Sequence, residues 1–102
     1  MIVTFKKQYL CDLYEQGSSN DKKHRFQPYI IEKYKERIDT LKKANRIEDL
    51  FSFSSLNYKV LDGDKQGISS IRVDKKYRIE FTVSKNEILT VCDIQELSNH
   101  YQ

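Results

Sequence analysis

Two arginines on adjacent predicted strands are the residues best suited to chemistry in this 102-residue chain. Apolar and polar residues alternate on both sides of a turn predicted at 74–76, as is typical of half-buried strands. Pairing across that turn sets Arg72 directly opposite Arg78, and both side chains are expected to face solvent. Like charges directly opposite each other destabilise a sheet, which favours a shared anion, and a phosphate fits the guanidinium fork. The alternative is that Glu80 and neighbouring aspartates neutralise both arginines.

A second cationic region covers residues 22–46. It holds nine Lys or Arg and three Glu or Asp, a local net charge of +6, so the rest of the chain sums to −3. A basic segment in a mildly acidic chain suggests a polyanion or an acidic protein as partner. The alternative is a solvated helix face carrying ion pairs.

The elements that must position these residues predict a single α+β domain spanning 1–102. Apolar spacing predicts a short strand at 2–5, a helix at 7–16 ending at Gly17, and a second helix from Gln27 to about Ala44 with Pro28 at its first position. One further helical turn is expected at 47–53. Strands are then predicted by alternation at 56–60, 68–73, 76–83 and 88–93, with turns at 62–67 and 84–86 and a polar turn or tail at 95–102. The expected architecture is two helices on one face of an antiparallel sheet of about four to five strands.

Cysteine and histidine usage argues against a metal centre. Cys11 and Cys92 have no CxxC spacing, and His24 and His100 stand alone, so neither a metal nor a cofactor is expected. The start of the chain becomes charged too soon for a signal peptide, and no apolar run reaches membrane-spanning length. A cytoplasmic location with no membrane association is therefore expected.

Three segments together resemble a known family. The stretches LNYKVLDGD (56–64), GISSIRV (67–73) and YRIEF (77–81) resemble toxins of bacterial toxin–antitoxin modules in the RelE/ParE superfamily. The resemblance is strongest to the HigB, or plasmid maintenance killer, group. It covers the whole length, including the ending ELSNHY at 96–101.

The resemblance implies a ribosome-dependent endoribonuclease with a RelE-like fold. Such a toxin cuts messenger RNA in the decoding site of a translating ribosome, and a cognate HigA-like helix-turn-helix antitoxin neutralises it. Cleavage uses no metal, because the RNA's own 2′-hydroxyl attacks the adjacent phosphate. The RNA- and ribosome-binding residues expected here are Lys22, Lys23, Arg25, Lys33, Lys35 and Lys42.

The catalytic set implied by the resemblance is Lys59, Arg72, Arg78, His100 and Tyr101. The two arginines match the strand arginines of the family, and Lys59 falls where some HigB toxins carry a histidine. The chemistry needs one group for proton transfer beside cations that stabilise charge on phosphorus. His100, Lys59 and Tyr101 all stay open for that role.

Two other functions fit the same fold. One is a non-enzymatic inhibitor of DNA gyrase, as in the ParE branch, since fold does not decide function. The other is a weakened toxin that only binds its antitoxin, because Asp62 replaces a lysine common in the family and Lys59 replaces a histidine. The outward strand positions carry Lys59, Arg72 and Arg78 together, which favours the nuclease over both alternatives.

Overall fold

In a computed structural model of the protein, residues 1–99 are described. Among these residues, five strands and two helices form a two-layer α+β fold, with the helices on one face of the sheet. In chain order the elements are β1 (Ile2–Phe5), α1 (Gln8–Gln16), α2 (Pro28–Lys43), β2 (Lys59–Val60), β3 (Ser69–Arg72), β4 (Arg78–Lys85) and β5 (Thr90–Ser98). Short 3-10 helices lie at Ile47–Ser52, Ser54–Leu56 and Gly63–Lys65. The predicted fold class is confirmed.

The sheet has the strand order β1-β5-β4-β3-β2. Strands β2 to β5 are antiparallel, as predicted, but β1 pairs in parallel with β5, with Ile2 opposite Val91 and Phe5 opposite Ile94. Parallel strands need a long crossover connection. Residues 6–89, which include both helices and strands β2 to β4, form this connection, and the local pattern around residues 2–5 does not reveal it.

Both helices bury their apolar stripes on one face of the sheet. Gly17 adopts a left-handed conformation (φ 73°) that ends α1, and Pro28 begins α2, as predicted. The two stripes are Tyr9, Leu10 and Leu13 on α1 and Ile30, Tyr34, Ile38 and Leu41 on α2. They belong to one core with sheet residues Ile71, Ile79, Phe81, Cys92 and Ile94, which leaves the other face of the sheet for polar groups.

The predicted polar tail from residue 95 is wrong, because β5 continues to Ser98. A β-bulge shifts the register between β4 and β5, so that Glu80 pairs with Glu96 while Phe81 pairs with Ile94. The extra residue, Gln95, lets Ile94 and Leu97 both lie in the core. A bulge breaks period-two alternation, and the sequence pattern therefore ended the strand too early.

The strand predicted at 56–60 is reduced to Lys59–Val60. Leu56 is buried at the end of a 3-10 turn, and Asn57 follows in the left-handed region (φ 43°). Asparagine tolerates this conformation, which redirects the chain before the strand begins. The turn predicted at 84–86 also lies later, since β4 continues to Lys85.

Candidate active site

The turn between β3 and β4 sets the register of the two arginines. The Asp74 carboxylate accepts hydrogen bonds from the backbone amides of Lys76 (2.9 Å) and Tyr77 (2.8 Å). Burial raises the pKa of Asp74, but the hydrogen bonds from Tyr77 and Lys76 outweigh it and leave that pKa lowered. With the turn closed in this way, Arg72 pairs directly with Arg78, as predicted.

The sheet face opposite the helices carries two rows of polar residues. Residues directly opposite one another in a ladder project to the same face. The arginine row is Arg72, Arg78 and Ser98, and the glutamate row is Lys59, Ser70, Glu80 and Glu96. We call the two rows together the polar face.

Arg78 does not face solvent, contrary to the sequence prediction. The residue is 5% exposed, and its Nε donates to Ser70 Oγ at 2.5 Å. Its Nη2 donates to the carbonyls of Asn57 and Ser70. The left-handed turn at Asn57 aims that carbonyl at the guanidinium, so Arg78 is a fixed, buried cation rather than a mobile surface one.

Arg72 differs from Arg78 in exposure and in its partners. It is half-buried, and its Nε donates to the Asp74 carbonyl at 3.1 Å. The backbone carbonyl of Arg72 accepts from Arg37 Nε at 2.9 Å, which ties the end of β3 to α2. Among residues 1–99 no ion pair involves Arg72, so the alternative, in which Glu80 and neighbouring aspartates neutralise it through ion pairs, is not seen there, although its charge helps to lower the pKa of Asp74.

Lys65 adds a cation to the polar face that sequence reasoning missed. Its Nζ lies 3.0 Å from Glu80 Oε2 and 4.0 Å from Glu96 Oε2. Glu80 is 3% exposed, and a buried carboxylate is stable only when it is paired. Lys65 lies in the turn predicted at 62–67, and the sequence pattern does not indicate that this turn folds over the sheet and brings Lys65 to Glu80.

Lys59 lies on the exposed edge strand β2 and pairs with Ser70. It therefore shares the polar face with the arginines, as its outward phase predicted. His100 and Tyr101 lie outside the described residues. The last described pair of the β4–β5 ladder is Arg78 with Ser98, so the chain reaches the arginine row two residues before His100.

The basic loop between the helices adjoins the end of β5. Lys23, His24 and Arg25 line a cleft of about 170 Å³ together with Ser98 and Asn99. Two of the predicted RNA-binding cations are thereby brought beside the arginine row. Lys22 belongs to the same loop and is exposed, but it does not line this cleft.

His24 fixes this loop against α1. Its ring stacks on Tyr9, with centroids 3.8 Å apart and planes 8° from parallel, and its Nδ1 lies 3.1 Å from Asp21 Oδ2. Burial raises the pKa of Tyr9 to about 12. The backbone amide of Lys23 and the His24 side chain lower the pKa of Asp21. The sequence showed only a basic loop, because stacking joins residues from separate elements.

The predicted cations of α2 are not brought to the polar face. Lys42 Nζ lies 4.3 Å from the ring centroid of Tyr14, and Lys35 lies 3.8 Å from Glu32. Both contacts are made on the side of α2 that faces α1 or solvent. Lys33 is exposed on the same helix.

Across residues 1–99, no cluster of three or more His, Cys, Asp or Glu side chains is placed to bind a metal ion. None of the described helices combines the length and the apolar character that crossing a membrane requires.

The chain is similar to a known protein family and to several solved structures. A family model described as the RelE-like toxin of the type II toxin–antitoxin system HigB matches residues 3–94. No curated protein sequence matches the chain.

Solved structures reproduce the fold. A YoeB/ParE toxin from Agrobacterium tumefaciens is 20% identical with a TM-score of 0.62, over 99% of this chain and 100% of that chain. The YoeB-YefM complex from Staphylococcus aureus is 24% identical with a TM-score of 0.58, over 99% and 98%. A mutant of YafQ from E. coli is 13% identical with a TM-score of 0.57, over 96% and 91%. These likenesses establish the RelE-like fold.

Proposed function

Because the chain belongs to the HigB-like family of RelE-like type II toxins, we propose that it is a ribosome-dependent endoribonuclease that cleaves translated messenger RNA. The observation that carries the proposal is the arginine row: Arg72 and Arg78 lie side by side on one sheet face, and Arg78 is held there by Ser70 and Asn57. Two adjacent guanidiniums suit a phosphodiester, whose charge grows as it is attacked.

The reaction needs no metal. The RNA 2′-oxygen attacks the adjacent phosphorus, the bond from phosphorus to the 5′-oxygen breaks, and a 2′,3′-cyclic phosphate remains. The 2′-hydroxyl proton passes to a base, and the departing 5′-oxygen takes up a proton from an acid. Arg72, which is half-buried and without an ion pair among residues 1–99, would bind the phosphoryl oxygens directly. Arg78, which is buried next to Arg72, would stabilise the negative charge of the phosphoryl group without contacting it directly.

We assign proton transfer to His100, with Lys59 and Tyr101 as the remaining candidates of the same site. A histidine has an ordinary pKa of about 6.5, which suits proton transfer near neutral pH. The strand β5 ends beside Arg78, two residues before His100. His100→Gln is expected to slow RNA cleavage by roughly two to four orders of magnitude while leaving ribosome binding unchanged.

The proposed partners follow from the same assignment. A type II toxin has an antitoxin partner, here proposed to be a HigA-like helix-turn-helix protein, and the substrate complex is a cytoplasmic ribosome carrying messenger RNA. Lys22, Lys23 and Arg25 are proposed to neutralise RNA phosphates next to the arginine row. Lys33, Lys35 and Lys42 would contact ribosomal RNA with a separate surface.

The deciding experiment is to induce the chain in bacterial cells and map the 5′ ends of messenger RNAs, with Arg72→Ala as the matched inactive control. We expect new 5′ ends in frame within translated codons, and upstream fragments that end in a 2′,3′-cyclic phosphate. Both should be absent with Arg72→Ala.

Other outcomes point to the competing functions. Intact messages together with a DNA-damage response would replace the nuclease by gyrase inhibition. Intact messages and normal growth, with antitoxin binding retained, would indicate a toxin that has lost its activity.

A further inference from the structure

A groove of about 600 Å³ separates the second half of α2 from the 3-10 segments that follow it. Arg37 and Lys43 line its helical side, while Phe53 and Leu56 line the opposite side. The groove lies apart from the polar face, so RNA cleavage does not account for it.

The groove carries positive charge. Among residues 1–99, neither Arg37 nor Lys43 takes part in an ion pair. Asp49 also lines the groove, but its carboxylate accepts hydrogen bonds from the backbone amides of Asn45 (3.0 Å) and Arg46 (3.3 Å) and lies 3.5 Å from Arg46 Nε. Its charge is engaged locally, so the groove keeps two cations for a ligand.

The groove also exposes apolar surface. Phe53, which joins the two 3-10 segments, is 51% exposed on the groove wall, and Phe51, which does not line the groove, is 60% exposed two residues earlier. Aromatic side chains left this open next to a groove are typical of a protein interaction site.

We propose that this groove is a docking site for an acidic, amphipathic segment of the partner antitoxin. Such a segment satisfies both features, since its apolar side chains would cover Phe53 and its carboxylates would pair with Lys43 and Arg37. RNA fits less well, because a phosphate backbone would leave the exposed apolar surface of Phe53 uncovered. The proposal depends on the antitoxin partnership and not on RNA cleavage.

Two hydrogen bonds link the groove lining to the arginines of the separate polar face. Arg37 Nε donates to the Arg72 carbonyl at 2.9 Å, and Leu56 precedes Asn57, whose carbonyl accepts from Arg78. A bound segment would therefore rest against the elements that hold both arginines.

The test uses the complex of the full chain with the HigA-like antitoxin proposed above. Affinity is measured by titration calorimetry for wild type, Phe53→Ser and Lys43→Glu. Matched controls are Ile88→Ser, at a residue 90% exposed in the loop between β4 and β5, and Lys85→Glu at the end of β4. Thermal unfolding of each free variant verifies folding.

We expect each groove substitution to weaken antitoxin binding at least tenfold, as removal of an interface anchor does. The controls should stay within twofold. In growth assays the groove variants should remain toxic but escape neutralisation, and the binding result stands even where the wild-type chain proves not to cleave RNA.

Three results would overturn the proposal. In the first, both groove variants bind the antitoxin as tightly as wild type. In the second, they lose ribosome affinity while antitoxin affinity is unchanged, which would make the groove an RNA surface. In the third, Phe53→Ser abolishes self-association of the free chain in sedimentation, which would assign the groove to a second copy. If Phe53→Ser fails to fold, the antitoxin affinity of Lys43→Glu decides the test, because Lys43 is exposed.

Discussion

Positive charge is held in different ways on the polar face and on the outer surface of α2. On the polar face, Arg78 is buried and receives fixed partners from Ser70 and Asn57, and Lys65 is held by the buried Glu80. On α2, Lys35 pairs one helical turn away with the exposed Glu32. The first arrangement fixes where the charge lies, and the second leaves it free to adjust.

This difference predicts two kinds of function. A charge that must stabilise a transition state has to be positioned before the reaction begins, and buried hydrogen bonds achieve this. A charge that only neutralises a polyanion acts through counterion release and needs no fixed geometry. We therefore propose that the polar face serves the chemistry and that the α2 surface serves general attraction to RNA.

Among variants of the described residues, the largest effect is expected from Arg72→Ala. Removing one positioned cation from a phosphoryl site should reduce RNA cleavage about 10²- to 10³-fold, because the pentacoordinate charge loses a direct partner. Stability should change by less than about 1 kcal/mol, since Arg72 is only half-buried. Cleavage of a defined message on purified ribosomes measures the rate, and an unchanged rate would remove the polar face from the mechanism.

Arg78→Ala is expected to act first on stability. It leaves the Ser70 hydroxyl and the Asn57 carbonyl without their buried donor, which should cost about 2–4 kcal/mol of unfolding free energy. Urea unfolding checks the value against Arg72→Ala as control. Equal stability of the two variants would show that the described contacts of Arg78 do not hold the sheet together.

Charge reversal on α2 should change affinity rather than rate. The triple variant Lys33→Glu, Lys35→Glu and Lys42→Glu should bind ribosomes more weakly, with a log–log salt slope smaller by roughly 0.7–0.9 for each phosphate that the protein no longer neutralises. A control triple variant reverses the exposed Lys6, Lys7 and Lys85. Binding is measured by sedimentation with ribosomes at several salt concentrations. Identical salt slopes for the two triple variants would show that the α2 lysines do not contact ribosomal RNA and are only solvated.

The smallest effect is expected at the turn that sets the arginine register. The lowered pKa of Asp74 means that its charge stabilises the fold above the ordinary carboxyl pKa, and that this stabilisation is lost as pH falls through the lowered value. Asp74→Asn should therefore lower the unfolding free energy by about 0.5–1 kcal/mol at pH 7. Chemical unfolding at pH 7 and at strongly acidic pH should show the difference vanish in acid, and a gap that persists there would contradict the electrostatic cause.

Local pattern predicted most of the elements. The helices end within about a residue of their predicted bounds, and the pairing of Arg72 with Arg78 follows from the alternation around one turn. The bulge at Gln95 escaped prediction because a single extra residue reverses the phase of all residues beyond it. The parallel pairing of β1 escaped because it depends on a strand about ninety positions away.

The candidate site divides in the same way. The sequence by itself determined that Lys59, Arg72 and Arg78 share one face of a sheet, since side chains in a strand alternate with a fixed period. Only the tertiary structure decided that Arg78 is buried, that Lys65 lies over Glu80, and that the loop at 22–25 adjoins β5. Burial and contact between loops depend on packing among distant segments, which no local period encodes.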